Sequence, residues 1–212
     1  MFPVSTRLDF IHKFVPATEP NNTLTLLLLH GTGGNEDDLI PLGSELSPGS
    51  SILSPRGKVL EDGMSRFFRR FAEGIFDVED LKYRTNELAG FIKMASSHYG
   101  FAANSIVGVG YSNGANIGAS LLFLHPGVLR GAVLFRPMVP LVPEKQPDLA
   151  GNPVYVSAGV KDPIVARNET ERLVKMLREY GADVTLSWVD TGHALAGPEV
   201  QDARVWFGRK FA

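Results

Sequence analysis

The chain contains no cysteine, which excludes disulfide bonds, thiolate metal sites and thiol nucleophiles together; any covalent catalysis must use another side chain. A charge excess of either sign is also missing. Lysine and arginine number 21 against 23 aspartates and glutamates, and a formal net charge of -2 gives no electrostatic basis for a polyanionic partner, so no nucleic acid is expected. The strongest hydrophobic run, Leu24–Leu29, falls far below the ~20 residues of a membrane span, so no span is expected. The N-terminal stretch MFPVSTRLDFIHKF interrupts its apolar residues with charges where a secretory signal needs a continuous apolar core, and the expected compartment is the cytoplasm. Internal repeats, charge blocks and low-complexity linkers are missing as well. The 212 residues, 44% hydrophobic, are therefore expected to form one domain over residues 1–212.

What the chain does have is an alternation of two periods. Short β-rich apolar runs recur at Thr23–Leu29, Ser51–Leu53, Ser105–Tyr111, Ala132–Phe135, Val154–Ala158 and Val184–Val189, and helical patterns separate most of them. That order predicts an α/β fold with a mostly parallel central sheet and helices on both faces. Leu81, Leu88, Phe91, Ile92 and Ala95 recur at helical spacing, with Asp77 placed to cap the start and Gly100 to end it. Further helices are expected from Ser112 through about Leu124, over Asn168–Tyr180, and from Pro198 to Phe211. The segment Arg7–Val15 is expected to be an antiparallel edge strand. Two long connections, Arg56–Phe76 and Arg136–Pro153, follow strands, and the carboxyl ends of strands are where open parallel sheets bind ligands.

Gly110-Tyr111-Ser112-Asn113-Gly114 matches G-x-S-x-G, whose glycines permit a tight strand-to-helix turn that pushes the serine hydroxyl out of the sheet. Five residues alone are a weak signal; the context strengthens it. A buried-strand pattern precedes the motif, and Ala115, Gly118 and Ala119 after it let a helix approach the sheet closely. A serine needs a base within hydrogen-bond reach, and the base needs a group that holds its tautomer. Behind such a turn the acid and then the histidine follow the serine along the chain. Of five histidines only His125 and His193 lie beyond Ser112, and His125 is carried away by the intervening helix. His193, in the loop after Val184–Val189, is the expected base. Asp162, just after Val154–Ala158 in Gly159-Val160-Lys161-Asp162-Pro163, is favoured as the orienting acid over Asp190, the competitor nearer in sequence.

Attack on an ester creates an oxyanion that preorganised donors must meet. His30-Gly31-Thr32-Gly33-Gly34-Asn35 follows the first parallel strand, and the backbone amides of Thr32 and Asn113 are the expected donors. His30 is read as a brace for this loop. The loop lacks both the Gly-Lys-Ser/Thr ending of a P-loop and the G-x-G-x-x-G spacing, so it is not read as a nucleotide cradle. Arg136 leaves two readings open: contact with an anionic substrate, or a fixed ion pair bracing its loop. The arginines interleaved with Phe67, Phe68 and Phe71 are read as paired or solvated.

With these residues placed, the chain resembles the phospholipase/carboxylesterase branch of the α/β-hydrolases, particularly small bacterial members linked to quinone and hydroquinone stress. The resemblance spans nearly the whole chain. It implies cleavage of small carboxylic esters through an acyl-serine with a Ser112-Asp162-His193 triad, no cofactor, no metal, no large lid domain and a homodimer. The related acyl-protein thioesterases usually carry leucine after the His-Gly pair and glutamine after the nucleophile, where this chain has Thr32 and Asn113. Apolar residues on the two long connections, Phe67, Phe71, Met138 and Leu141, are the expected substrate-pocket walls. Two alternatives stand beside the esterase reading: a thioesterase or lactonase of the same fold, and a catalytically silent α/β-hydrolase that binds a ligand.

Overall fold

The computed structural model describes residues 8–19 and 22–211. Its centre is a seven-stranded sheet, made of β1 (His12–Val15), β2 (Thr25–Leu29), β3 (Ser51–Pro55), β8 (Ile106–Tyr111), β9 (Gly131–Phe135), β10 (Pro153–Gly159) and β11 (Asp183–Val189). In space the order is β1-β3-β2-β8-β9-β10-β11, and every pairing except β1 with β3 is parallel. The antiparallel edge strand is thus present over His12–Val15; Arg7 of the expected segment lies outside the described residues.

Among the described residues five helices cover this sheet: α1 (Ile40–Leu46), α2 (Val78–Tyr99), α3 (Asn113–Leu124), α4 (Arg167–Glu179) and α5 (Gly197–Phe211). Strand β2 shows why both faces are covered. Its Leu27 and Leu29 join the core beneath α2, α3 and α4, while Leu26 and Leu28 join the core beneath α1 and α5. The period of two sends alternate leucines to opposite faces, and none of the four is exposed. At roughly 1.5–3 kcal/mol for each fully buried leucine, this short segment is a large contributor to folding. Helix α2 starts and stops where its capping residues require. The Asp77 side chain accepts a hydrogen bond from Asp80 N at 3.1 Å, and Gly100 ends the helix in the left-handed region at φ 76°.

Two features depart from the sequence reading. Helix α1 follows the His30–Asn35 loop, where no helix was expected. The connection from Arg56 to Phe76 is also structured, forming two hairpins: β4 (Val59–Glu61) with β5 (Met64–Arg66), and β6 (Arg70–Ala72) with β7 (Ile75–Phe76). Both hairpins hang beside the carboxyl ends of the strands. Among the described residues no helix is long and apolar enough to cross a membrane.

Candidate active site

Strand order reverses between β2 and β8, since the chain moves from β2 outward to β3 and then returns to β8 on the other side. A crevice opens at the carboxyl ends on either side of such a reversal. Here the loop His30–Asn35 leaves β2, and Ser112 leaves β8, directly into it.

Ser112 sits at φ 53° and ψ -114°, a conformation that costs an L residue of order 1–3 kcal/mol and is held by the parts around it. Its N–H donates to Phe135 O at 2.9 Å on β9, and its carbonyl accepts from Asn116 N at 3.0 Å in α3. Gly114 permits the tight approach: a Cβ there would lie 1.9 Å from the Leu29 carbonyl oxygen at the end of β2. Helix α3 therefore begins against the neighbouring strand, which no side chain at position 114 would allow.

The three sequence-expected side chains converge. His193 Nε2 lies 2.9 Å from Ser112 Oγ, and His193 Nδ1 lies 2.8 Å from Asp162 Oδ2. With Nδ1–H donating to Asp162, Nε2 is left to accept from the serine hydroxyl. The Asp162 side chain is 1% exposed, and its other oxygen accepts from the backbone N–H groups of Ile164 at 2.8 Å and Val165 at 3.0 Å. Asp190 does not reach this group; it pairs with Lys161 Nζ at 2.8 Å on the surface. His125 lies elsewhere too, with Nε2 2.7 Å from Asn86 Oδ1.

Thr32 and Asn113 both line the cavity beside Ser112, and among the described residues neither backbone N–H has an internal acceptor. Asn113 is N1 of α3, where N–H groups have no intrahelical partner and the helix dipole favours negative charge. The surrounding side chains fix both residues. Arg66 Nη1 donates to Thr32 Oγ1 at 2.6 Å, and Asn113 Oδ1 accepts from Phe67 N at 2.8 Å.

His30 braces the loop below Thr32. Its Nδ1–H donates to Gly31 O at 2.6 Å, and its Nε2 accepts from Gly57 N at 2.9 Å. Burial pushes the imidazole below its ordinary value of 6.5, outweighing the Gly31 hydrogen bond and Asp38, which act in the opposite direction. Geometry agrees, because a proton on Nε2 would face the Gly57 N–H donor. Below pH 6.5 the unfolded chain takes up a proton that the folded chain resists. The contribution is therefore fully retained above that pH and is lost as the pH falls through the folded value. Urea unfolding at stepped pH should show stability lost as the pH falls in that window, at up to about 1.4 kcal/mol per pH unit, in excess of the His30→Gln variant. Identical slopes for the two proteins would refute this. Half-buried His125 titrates in the same direction in both and cancels in the comparison.

The cavity at Ser112, about 220 Å³, is walled mainly by Arg66, Arg70, Phe76, Tyr111, Met138 and Ile164. Of the four apolar walls expected from sequence, Met138 alone lines it; its N–H is held by Asn116 Oδ1 at 2.7 Å. Phe67 and Leu141 belong to the core, with the Phe67 ring packed 4.7 Å from the His30 ring, and Phe71 is 76% exposed on its hairpin. The two hairpins turn the phenylalanines away from the cavity and turn arginines toward it. Buried Arg66 is paired with Glu61 at 3.2 Å; burial and then the neighbouring Arg70 cation push its guanidinium below the ordinary value.

Arg136 resolves to the second of its two readings. It is fully buried and forms a two-pronged ion pair with Glu199 of α5, at 2.6 and 2.7 Å. Glu199 escaped the sequence reading, because an acidic residue in the first turn of a helix is ordinarily explained by the helix dipole. Among the described residues no three or more His, Asp or Glu side chains gather as metal ligands.

A parallel sheet reversing at β2 and β8, helices on both faces and a serine on the strained turn after β8 together define an α/β-hydrolase. The chain belongs to the dienelactone hydrolase family, whose model matches residues 75–205. It is 48% identical over 196 residues, 92% of this chain and 96% of the relative, to the Bacillus subtilis (strain 168) protein named "Putative hydrolase MhqD". Among solved structures it is similar to a Bacillus cereus carboxylesterase, with a TM-score of 0.91 and 49% identity over 94% of this chain and 93% of that one. A Mesorhizobium loti carboxylesterase matches with a TM-score of 0.82 and 32% identity, over 88% and 89% of the two chains. The resemblance to small bacterial α/β-hydrolases drawn from the motifs therefore holds.

Proposed function

We propose that this chain is a serine carboxylesterase acting on small esters through an acyl-enzyme. The observation that carries the proposal is the continuous relay from Ser112 Oγ to His193 to buried Asp162, with separations of 2.9 and 2.8 Å. Ser112 Oγ attacks the ester carbonyl carbon while His193 Nε2 takes the hydroxyl proton. The carbonyl oxygen becomes an oxyanion and accepts from the Thr32 and Asn113 amides; donors of this kind contribute roughly 10²–10³-fold each. Collapse breaks the ester C–O bond, and His193 returns the proton to the departing alcohol. Water then gives a proton to His193 and attacks the acyl carbon. The carboxylic acid leaves and Ser112 recovers its proton.

None of these steps calls for a metal or an organic cofactor. The names of the Bacillus cereus and Mesorhizobium loti relatives support an ester as the substrate. A compact cavity bounded by two arginines and Met138 favours a short or polar acyl group over a long alkyl chain.

A fluorophosphonate probe tests the reading directly. Intact protein should gain one adduct, mapped by peptide mass spectrometry to Ser112, and Ser112→Ala should gain none. An adduct on any other residue, or ester turnover in the variant within about tenfold of wild type, would overturn the assignment.

A further inference from the structure

We propose that Arg136, locked in place by Glu199, is the positioning residue that holds His193 in register with Ser112 and Asp162. The inference rests on the reading of His193 as the base.

Every N–H of the Arg136 guanidinium has an acceptor. Nε donates to Gly192 O at 3.1 Å, and Nη2 to Ala194 O at 3.0 Å and Glu199 Oε1 at 2.6 Å. Nη1 donates to Glu199 Oε2 at 2.7 Å and Ser157 Oγ at 3.2 Å. Two of those five bonds hold the carbonyls on either side of His193. The carbonyl of His193 itself accepts from Tyr111 Oη at 3.2 Å, so three successive carbonyls of the loop are held by side chains from the end of β8 and from the residue just after β9. Five directed donors in one plane suit this task, and a lysine cannot reproduce them.

Glu199 is equally committed. Besides Arg136, its carboxylate accepts from the Ser157 hydroxyl and from Ala196 N, the latter at 2.7 Å. Arg136 and Glu199 are both wholly buried, and Arg136 adopts φ 58°, an unfavourable conformation for a side chain of this size. A surface ion pair would not require such an arrangement. The buried cation also stands 4.0 Å from Asp162 Oδ2, the same oxygen that accepts from His193. Gly159 completes the seat, since a Cβ there would lie 2.3 Å from Gly192 O and push the loop off the sheet.

The test uses two variants of the full chain: Arg136→Leu/Glu199→Leu, which removes both buried charges together, and Arg136→Lys, which keeps the cation and loses the fork. Each is compared with wild type for ester kinetics, for thermal unfolding and for the downfield proton resonance of the His193 Nδ1–H. Misplacing a reacting group by an ångström costs about 10²-fold. The expected result is kcat lower by about that factor in both variants, KM within about threefold, and loss of the downfield resonance while the protein stays folded. Wild-type kcat in Arg136→Lys would overturn the positioning role, as would a rise in KM with kcat retained in either variant. If the double variant fails to fold, Arg136→Lys alone decides the matter. Failure of the fluorophosphonate to label wild-type Ser112 would instead remove the esterase reading and this inference with it.

Discussion

Ser112→Ala and His193→Ala should each lower kcat for ester hydrolysis by about 10⁶-fold, and the double variant should be no slower than either single one. The hydroxyl and the imidazole carry out one step together. Without Nε2, 2.9 Å away, the Ser112 proton has no acceptor at the moment of attack; without Oγ the imidazole has nothing to activate. Removing the second partner therefore takes away nothing further. Residual turnover of about 10³–10⁴ over water should survive in all three, because the Thr32 and Asn113 amides are backbone groups that neither substitution touches. Steady-state ester kinetics of each purified, folded variant, normalised to protein concentration, read this out. Additive losses in the double variant would mean that serine and histidine act in separate steps.

How far these residues were legible in the sequence follows from the kind of signal each carries. The leucines of β2 and the capping residues Asp77 and Gly100 act through local periodicity and backbone conformation, which a linear pattern records. Ser112 was legible for the same reason, because its turn needs Gly110 and Gly114 at fixed offsets. His193 and Asp162 required chain order rather than local pattern. The cavity walls were misread because hairpin register decides which face of Ser65–Phe71 turns inward. Intrinsic polarity pointed the wrong way: Arg66 is 2% exposed and Phe71 is 76% exposed. Arg66 tolerates burial through Glu61, Thr32 and the Phe68 carbonyl, partners brought to it by that hairpin and by the loop after β2. Glu199 was missed for a related reason. Its partner Arg136 lies 63 positions away along the chain, and nothing in either local window shows that they meet.

Asp162→Asn should lower kcat by about 10⁴-fold, whereas Asp190→Asn should leave it within about twofold of wild type. The first loss follows from the way Asp162 is held. Its Oδ1 accepts from two backbone N–H groups, Ile164 and Val165, while its Oδ2 accepts from His193. Asparagine has one acceptor oxygen, and the two amides claim it. The amide nitrogen is then turned toward His193 Nδ1, where it donates instead of accepting. The imidazole must answer with a lone pair on Nδ1, which places its proton on Nε2 and faces N–H against the Ser112 hydroxyl. The geometry survives and the base is lost, so the variant should fold normally and still bind ester with little change in KM. Asp190 pairs only with Lys161, at the surface, where both side chains are more than two-thirds exposed, and an ion pair of that kind contributes little to anything beyond itself. Measuring both variants on one substrate separates the two carboxylates that lie near enough in sequence to compete for the role. Equal losses would point to a general effect of charge near the loop, and a loss confined to Asp190→Asn would transfer the role of acid from the β10 loop to the end of β11.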